Sequence, residues 1–241
     1  MPGLSLSFFL SLLAAPTSPP APAALPAPLP QQTAATRDSL TKKGYTLVFI
    51  SKDPDLNPTT KQRMIDAFYT VYPKEAKRFN PNTLKKVTFV VDPEYKGVAA
   101  THNGIVRYNP TWLREHPEDI DVVTHEVMHI VQGYPGGSLG WLTEGIADYT
   151  RYALGVNNQA GKWKLPDYKE GQSYTNSYRI TARFLAWLEQ NGYPKIVNEM
   201  DAALRAHAYS PELWQQKTGK TLDELWTAYT ANPTAVKLAY K

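Results

Sequence analysis

His125 and His129 stand four residues apart with Glu126 between them, in the run His125-Glu126-Val127-Met128-His129. On a helix this register puts both imidazoles on one face, where they can grip one metal ion while Glu126 stands beside them as a general base. The chain has only five histidines, at 102, 116, 125, 129 and 207, so two of them falling in this register around a glutamate is an uncommon coincidence. Cysteine is absent, which excludes thiolate zinc sites, iron–sulfur clusters, disulfides and cysteine nucleophiles and leaves nitrogen and oxygen to hold any metal.

A catalytic zinc takes three protein ligands and keeps one position open. The best third donor is Glu144, fifteen positions after His129, in Gly140-Trp141-Leu142-Thr143-Glu144-Gly145-Ile146-Ala147-Asp148-Tyr149. The Pro135-Gly136-Gly137 turn before it lets a second helix fold back on the first. Asp148, one turn beyond Glu144, can accept the free ring N–H of a ligand histidine and fix its tautomer. Gly145 removes a side chain where the two helices approach, and Leu142, Ile146, Tyr149 and Ala153 supply a face to bury. Taken alone, Glu144 and Asp148 read better as a solvated face paired with Arg151 than as a metal site. Beside the histidine pair and the glycine-rich turn, the metal reading is preferred. Two rival constellations fail: the metzincin extension requires glycine and a further ligand where Gln132 and Pro135 stand, and Glu126/His129 has no second ExxH to build a di-iron site.

The elements that must position these groups are also readable. Ile120, Val123, Val127, Ile130 and Val131 form a stripe opposite the histidines, with Pro117 placed in a first helical turn that Glu118, Asp119 and Asp121 would stabilise, and with Gly133 and Pro135 as the exit. Tyr45 to Ser51 reads as a strand. Asn57-Pro58 caps a helix carrying Ile65, Phe68 and Tyr72 that Pro73 interrupts. Val87 to Val91 reads as a central strand, and Val98 to Thr101 with Ile105 to Tyr108 as a hairpin turning at Asn103-Gly104. That hairpin either offers an edge strand to an extended peptide near the metal or simply covers the sheet. Beyond the motif, a helix opened by Ser138 or Gly140 runs to Gly155. The stretch 156–173 has no period and is a candidate rim of the cleft. Helices follow over Ser177 to Gln190, after Ser210-Pro211, and from the capping box Thr221 to Glu224.

With 26 Lys+Arg against 22 Asp+Glu, the 241-residue chain carries +4, too little for a nucleic-acid signature and without a basic run interleaved with aromatics. Leu4 to Ala15 is an apolar block too short to span a membrane, followed by small residues and then by a Pro/Ala-rich stretch. No Lys or Arg precedes that block. The expected organisation is a signal peptide at 1–23, a linker at 24–36 and one domain at 37–241, with a sheet lobe near 44–133 and a helical lobe near 138–241.

His125 to His129, Gly140 to Tyr149 and Thr181-Ala182-Arg183-Phe184-Leu185 together resemble the basic secretory proteins of plants and bacteria, regarded as zinc peptidases, over roughly Tyr45 to Tyr229. The segment around Glu144 carries the most specific likeness. The resemblance implies a zincin fold, secretion, a basic surface and, in plants, an association with defence. The pattern is also similar to gluzincins, which implies His125, His129 and Glu144 as ligands, Glu126 as base and Asp148 as support for the first histidine. The separation from His129 to Glu144 is shorter than in thermolysin-like enzymes.

The expectation is therefore an α+β zincin-like metallopeptidase, with a small N-terminal mixed sheet plus helices, a C-terminal helical lobe and a cleft between them. It would bind one zinc ion per chain, be secreted (to the periplasm in a bacterium), contain no membrane span and hydrolyse peptide, protein or glycoprotein substrates with Glu126 deprotonating a zinc-activated water. Tyr178 is the first choice for the donor to the oxyanion and Tyr152 the second; His102 and His207 are weaker substrate contacts. The alternative is a secreted zincin-fold binding protein for a protein or carbohydrate ligand that lacks turnover.

Overall fold

The β-branched and aromatic run Tyr-Thr-Leu-Val-Phe-Ile-Ser and its partner Lys-Val-Thr-Phe-Val-Val meet side by side at the centre of a five-stranded sheet. The computed structural model describes residues 35–136 and 139–241. The expected signal peptide, all but the last two residues of the expected linker, and Ser138 as a helix opener lie outside the described residues. Strand β1 (Thr36–Lys42) pairs antiparallel with β2 (Tyr45–Ser51), which runs parallel to β3 (Lys86–Val91). β3 is parallel to β5 (Ile105–Tyr108), and β4 (Ala99–His102) closes the edge antiparallel to β5, giving the order β1-β2-β3-β5-β4. The β4–β5 turn holds both Asn103 (φ 47°) and Gly104 (φ 74°) in the left-handed region, which is why an Asn-Gly pair sits there.

Leu47, Phe49, Val87, Phe89, Val91, Val106 and Tyr108 are buried on one face, covered by α1 (Pro58–Arg78) and α3 (Val122–Gln132). Asn57 caps α1 through its side chain, as its sequence indicates. Pro73 does not interrupt α1, which continues to Arg78. The carbonyl of Tyr69, which the missing Pro73 N–H leaves without its helical partner, accepts a bond from the Lys43 ammonium at 2.9 Å instead. A short helix that sequence reasoning passed over, α2 (Pro110–Glu115), precedes α3.

The helical half comprises α4 (Gly140–Leu154), α5 (Tyr178–Gln190), α6 (Ile196–Arg205), α7 (Glu212–Thr218) and α8 (Leu222–Ala231). Thr221 and Glu224 form the expected capping box on α8. The closest approach permitted by Gly145 is to α5 rather than α3: a Cβ there would lie 2.3 Å from Thr181 Cγ2. Among the described residues no helix is long and apolar enough to cross a membrane.

Candidate active site

α3 begins later than its acidic prelude suggested, at Val122, and the three acids expected in its first turn do other work. Glu118 pairs with Arg63, Asp119 with Arg151, and buried Asp121 receives the Thr124 hydroxyl and the Val156 N–H, both at 2.8 Å. Asp121 thereby ties the start of the 156–173 loop to the motif helix. At the other end Gly133 (φ 51°) stops α3 in the left-handed conformation. The apolar stripe Ile120, Val123, Val127, Ile130 and Val131 is buried, which fixes the rotation of the helix and presents His125 and His129 to α4.

The structure brings His125, Glu126, His129, Glu144 and Asp148 together. Glu144 Oε2 lies 3.2 Å from His125 Nε2 and 3.5 Å from His129 Nε2, and the two Nε2 atoms are 3.2 Å apart. Each outer ring nitrogen is held by an acceptor. His125 Nδ1 donates to Asp148 Oδ1 at 2.7 Å, and His129 Nδ1 donates to Gln132 Oε1 at 2.7 Å. Gln132 is oriented for this because its Nε2 donates to the Thr143 carbonyl at 2.9 Å. Both imidazoles therefore turn Nε2 toward the Glu144 carboxylate, where each nitrogen would offer a lone pair to an ion that displaced its proton. The three ligand atoms lie within 4.8 Å of one another, and two imidazole nitrogens with one carboxylate oxygen is a donor set that suits zinc. The residues present fit the ion.

The electrostatics agree. Burial works against the His125 imidazolium, yet its bonds to Asp148 and Glu144, with Glu126 adding, raise its pKa to about 10. Burial would raise Glu144, but His125 and His129 bring it down to about 2. The locus strongly favours positive charge.

Glu126 is buried, and its Oε2 accepts from the Thr101 hydroxyl at 2.7 Å. Thr101 belongs to β4, so the edge strand runs beside the motif helix and along the cleft. Tyr178 opens α5 as expected, its ring stacked 6.2 Å from that of His125 at 14°. Both Ser177 (φ 67°) and Tyr178 (φ 48°) take positive φ, a conformation that costs side-chain-bearing residues about 1–3 kcal/mol each and here sets the direction of the ring. Glu144 foremost, then burial, Asp148 and Glu126, raise the Tyr178 pKa, which keeps the hydroxyl a donor.

The remaining expectations are placed elsewhere. Tyr152 packs against Tyr240 and donates to the Lys237 carbonyl at 3.4 Å, away from the cleft. It is two turns beyond Glu144, over which a helix face rotates by roughly 80°. His102 and His207 do not line the cleft, and Arg151 is committed to Asp119 and Asn158 instead of Glu144 or Asp148. The cleft, about 1100 Å³, is walled by groups that sequence reasoning missed. Trp112 stacks on His116 with centroids 3.8 Å apart, and Trp163 of the 156–173 loop lies over the Arg151 guanidinium at 4.5 Å. Gln132 was findable, being three residues past His129 on the same helix. Thr101 and Trp163 come from distant segments and carry no local signal.

Residues 32–229 match the BSP family model, described as peptidase of plants and bacteria. No curated protein matches the chain. Among solved structures, a mutant of a two-domain M1 zinc metallopeptidase bound to L-arginine is similar over 86% of this chain and 53% of its own, at 13% identity and a TM-score of 0.52. A mutant of a two-domain M1 zinc metallopeptidase bound to L-tryptophan is similar over 86% and 52%, at 15% identity and a TM-score of 0.51. An M1 zinc metallopeptidase mutant from Deinococcus radiodurans covers 86% and 54%, at 11% identity and a TM-score of 0.49. This chain spans about half the length of these enzymes. At such identities the likeness is one of fold, a mixed α+β architecture shared with zinc metallopeptidases.

Proposed function

We propose that this chain, which belongs to the BSP family of plant and bacterial peptidases, is an exported zinc-dependent metallopeptidase whose catalytic domain spans 37–241. The observation that carries the reading is the convergence of His125, His129 and Glu144 on one locus beside Glu126. In this reading the three hold zinc, and a zinc ion bound there supplies Lewis acidity to a water and to a carbonyl oxygen.

The chain's own groups do the rest. Asp148 and Gln132 prevent the imidazoles from turning and keep their Nε2 lone pairs inward. Thr101 holds one oxygen of the Glu126 carboxylate, leaving the other to take a proton from the attacking water and return it to the departing amine. The Tyr178 hydroxyl, protonated and on the cleft wall, donates to the oxygen of the scissile carbonyl as charge builds there. The edge of β4 gives an extended peptide a strand to lie against.

The test is hydrolysis of a denatured protein together with metal content. Glu126→Gln should keep zinc and lose about 10²- to 10⁴-fold in rate, and Tyr178→Phe should keep zinc and lose about 10²-fold. Hydrolysis by Glu126→Gln at the parental rate would contradict the mechanism. Stoichiometric zinc with no hydrolysis in the parent would instead favour a binding protein.

A further inference from the structure

Most charges around the cleft are spoken for. Asp119 pairs with Arg151 and accepts from Trp112 Nε1 at 2.9 Å, while Asp148 and Glu144 face the two imidazoles. Two cations on the cleft wall are not. Among the described residues, no carboxylate lies within ion-pair distance of Lys162 or Arg179, although both line the cleft that contains Glu126.

Their placement is built by the fold. Asp121 anchors the start of the loop through the Val156 N–H, and the loop then turns through main-chain bonds from Gly161 to the Asn157 carbonyl at 2.9 Å and from Trp163 to the Asn158 carbonyl at 2.9 Å. Gly161 has no room for a side chain, since a Cβ would sit 2.8 Å from the Glu118 carbonyl oxygen. Lys162 is held at φ 53°, a cost that a lysine free to relax would avoid. Arg179 follows Tyr178 in the first turn of α5, and its guanidinium reaches toward the same loop, 3.5 Å from the Lys164 carbonyl. A smaller hollow of about 450 Å³ adjoins the cleft through Lys162 and Trp163, adds Lys164 and Tyr240, and among the described residues has no Asp or Glu in its lining. This side of the site thus joins uncompensated positive charge to flat aromatic walls at Trp112 and Trp163.

We infer that Lys162 and Arg179 select substrates that present a carboxylate close to the scissile bond, on the side of the cleft walled by Trp112 and Trp163. This rests on the peptidase reading of the same site. The carboxylate is either an Asp or Glu side chain or the C-terminus of the substrate. Cations left without partners in a cleft with low-dielectric walls attract an anion and suppress the binding of a cation there.

The experiment uses one peptide core carrying Glu, Gln or Lys at each position flanking the cleaved bond, with the C-terminus free or amidated. Cleavage rates and binding are measured separately, the latter by fluorescence anisotropy on Glu126→Gln. The parent should favour Glu over Gln by about three- to tenfold in kcat/KM, through KM, as expected for a pair of solvent-facing charges, and the preference should fall with added salt. The Lys162→Ala/Arg179→Ala double variant should lose that preference, its kcat/KM for the Glu peptide falling to its own value for the Gln peptide. A preference that follows the free C-terminus instead of the Glu position assigns the carboxylate to the chain end. Equal binding and equal cleavage of the Glu, Gln and Lys peptides would overturn the inference. Selective binding of the acidic peptides without cleavage of any would leave the inference standing and remove the peptidase reading.

Discussion

Two buried carboxylates act on the same imidazole from different helices, and only one of them is bonded. Asp148 on α4 takes the Nδ1–H of His125 at 2.7 Å. Glu75 on α1 is fully buried and, among the described residues, neither of its oxygens has a hydrogen-bond partner; the Tyr108 hydroxyl and Thr150 Oγ1 are equally without one. Burial drives the Glu75 pKa well above its ordinary value of 4.5, with His125 opposing and Asp121 assisting. A buried acid beside a ring N–H becomes part of the site. One without a partner gives up its charge by keeping its proton. The pair teaches that burial near His125 is insufficient, and that what matters is whether a ring N–H reaches the carboxylate.

Metal affinity should separate the two carboxylates most strongly. Asp148→Asn should weaken zinc binding by about 10- to 100-fold, Gln132→Ala by less because a neutral amide is lost, and Glu75→Gln hardly at all. Chelator competition measures all three. A loss in Glu75→Gln as large as that in Asp148→Asn would mean that Glu75 serves the site after all.

A smaller effect sharpens the same contrast through pH. Glu75 has a raised folded-state pKa, so its contribution to stability is fully present below the unfolded value and is lost as pH climbs toward the folded one. Glu75→Gln removes that loss. Urea unfolding should therefore show the variant gaining on the parent between pH 5 and pH 8, above the ordinary glutamate value of 4.5. A difference that does not change with pH would show that Glu75 is charged in the fold.

What the chain disclosed in advance divides along similar lines. Signals that act within a few residues read correctly: the β2 run, Asn103-Gly104 at the hairpin, Asn57 before α1, and Thr221 with Glu224 on α8. The grouping of His125, His129, Glu144 and Asp148 was legible because helical periodicity places residues four apart on one face, and two such pairs were present. Features that depend on a distant partner were not legible. Pro73 stays inside α1 with Lys43 bonded to the Tyr69 carbonyl, Gly145 makes room for Thr181 rather than for the motif helix, and Glu118, Asp119 and Asp121 stabilise loops and ion pairs instead of a first helical turn. Thr101, which donates to the Glu126 carboxylate, is brought there by the sheet edge.

The proposed mechanism depends on a single cation held between α3 and α4. Anomalous diffraction at the zinc edge, from crystals of the protein purified without chelator, examines this directly. The expected result is one peak per chain bounded by His125 Nε2, His129 Nε2 and the Glu144 carboxylate. A peak elsewhere, or one contacted by the histidines with Glu144 turned to solvent, would contradict it.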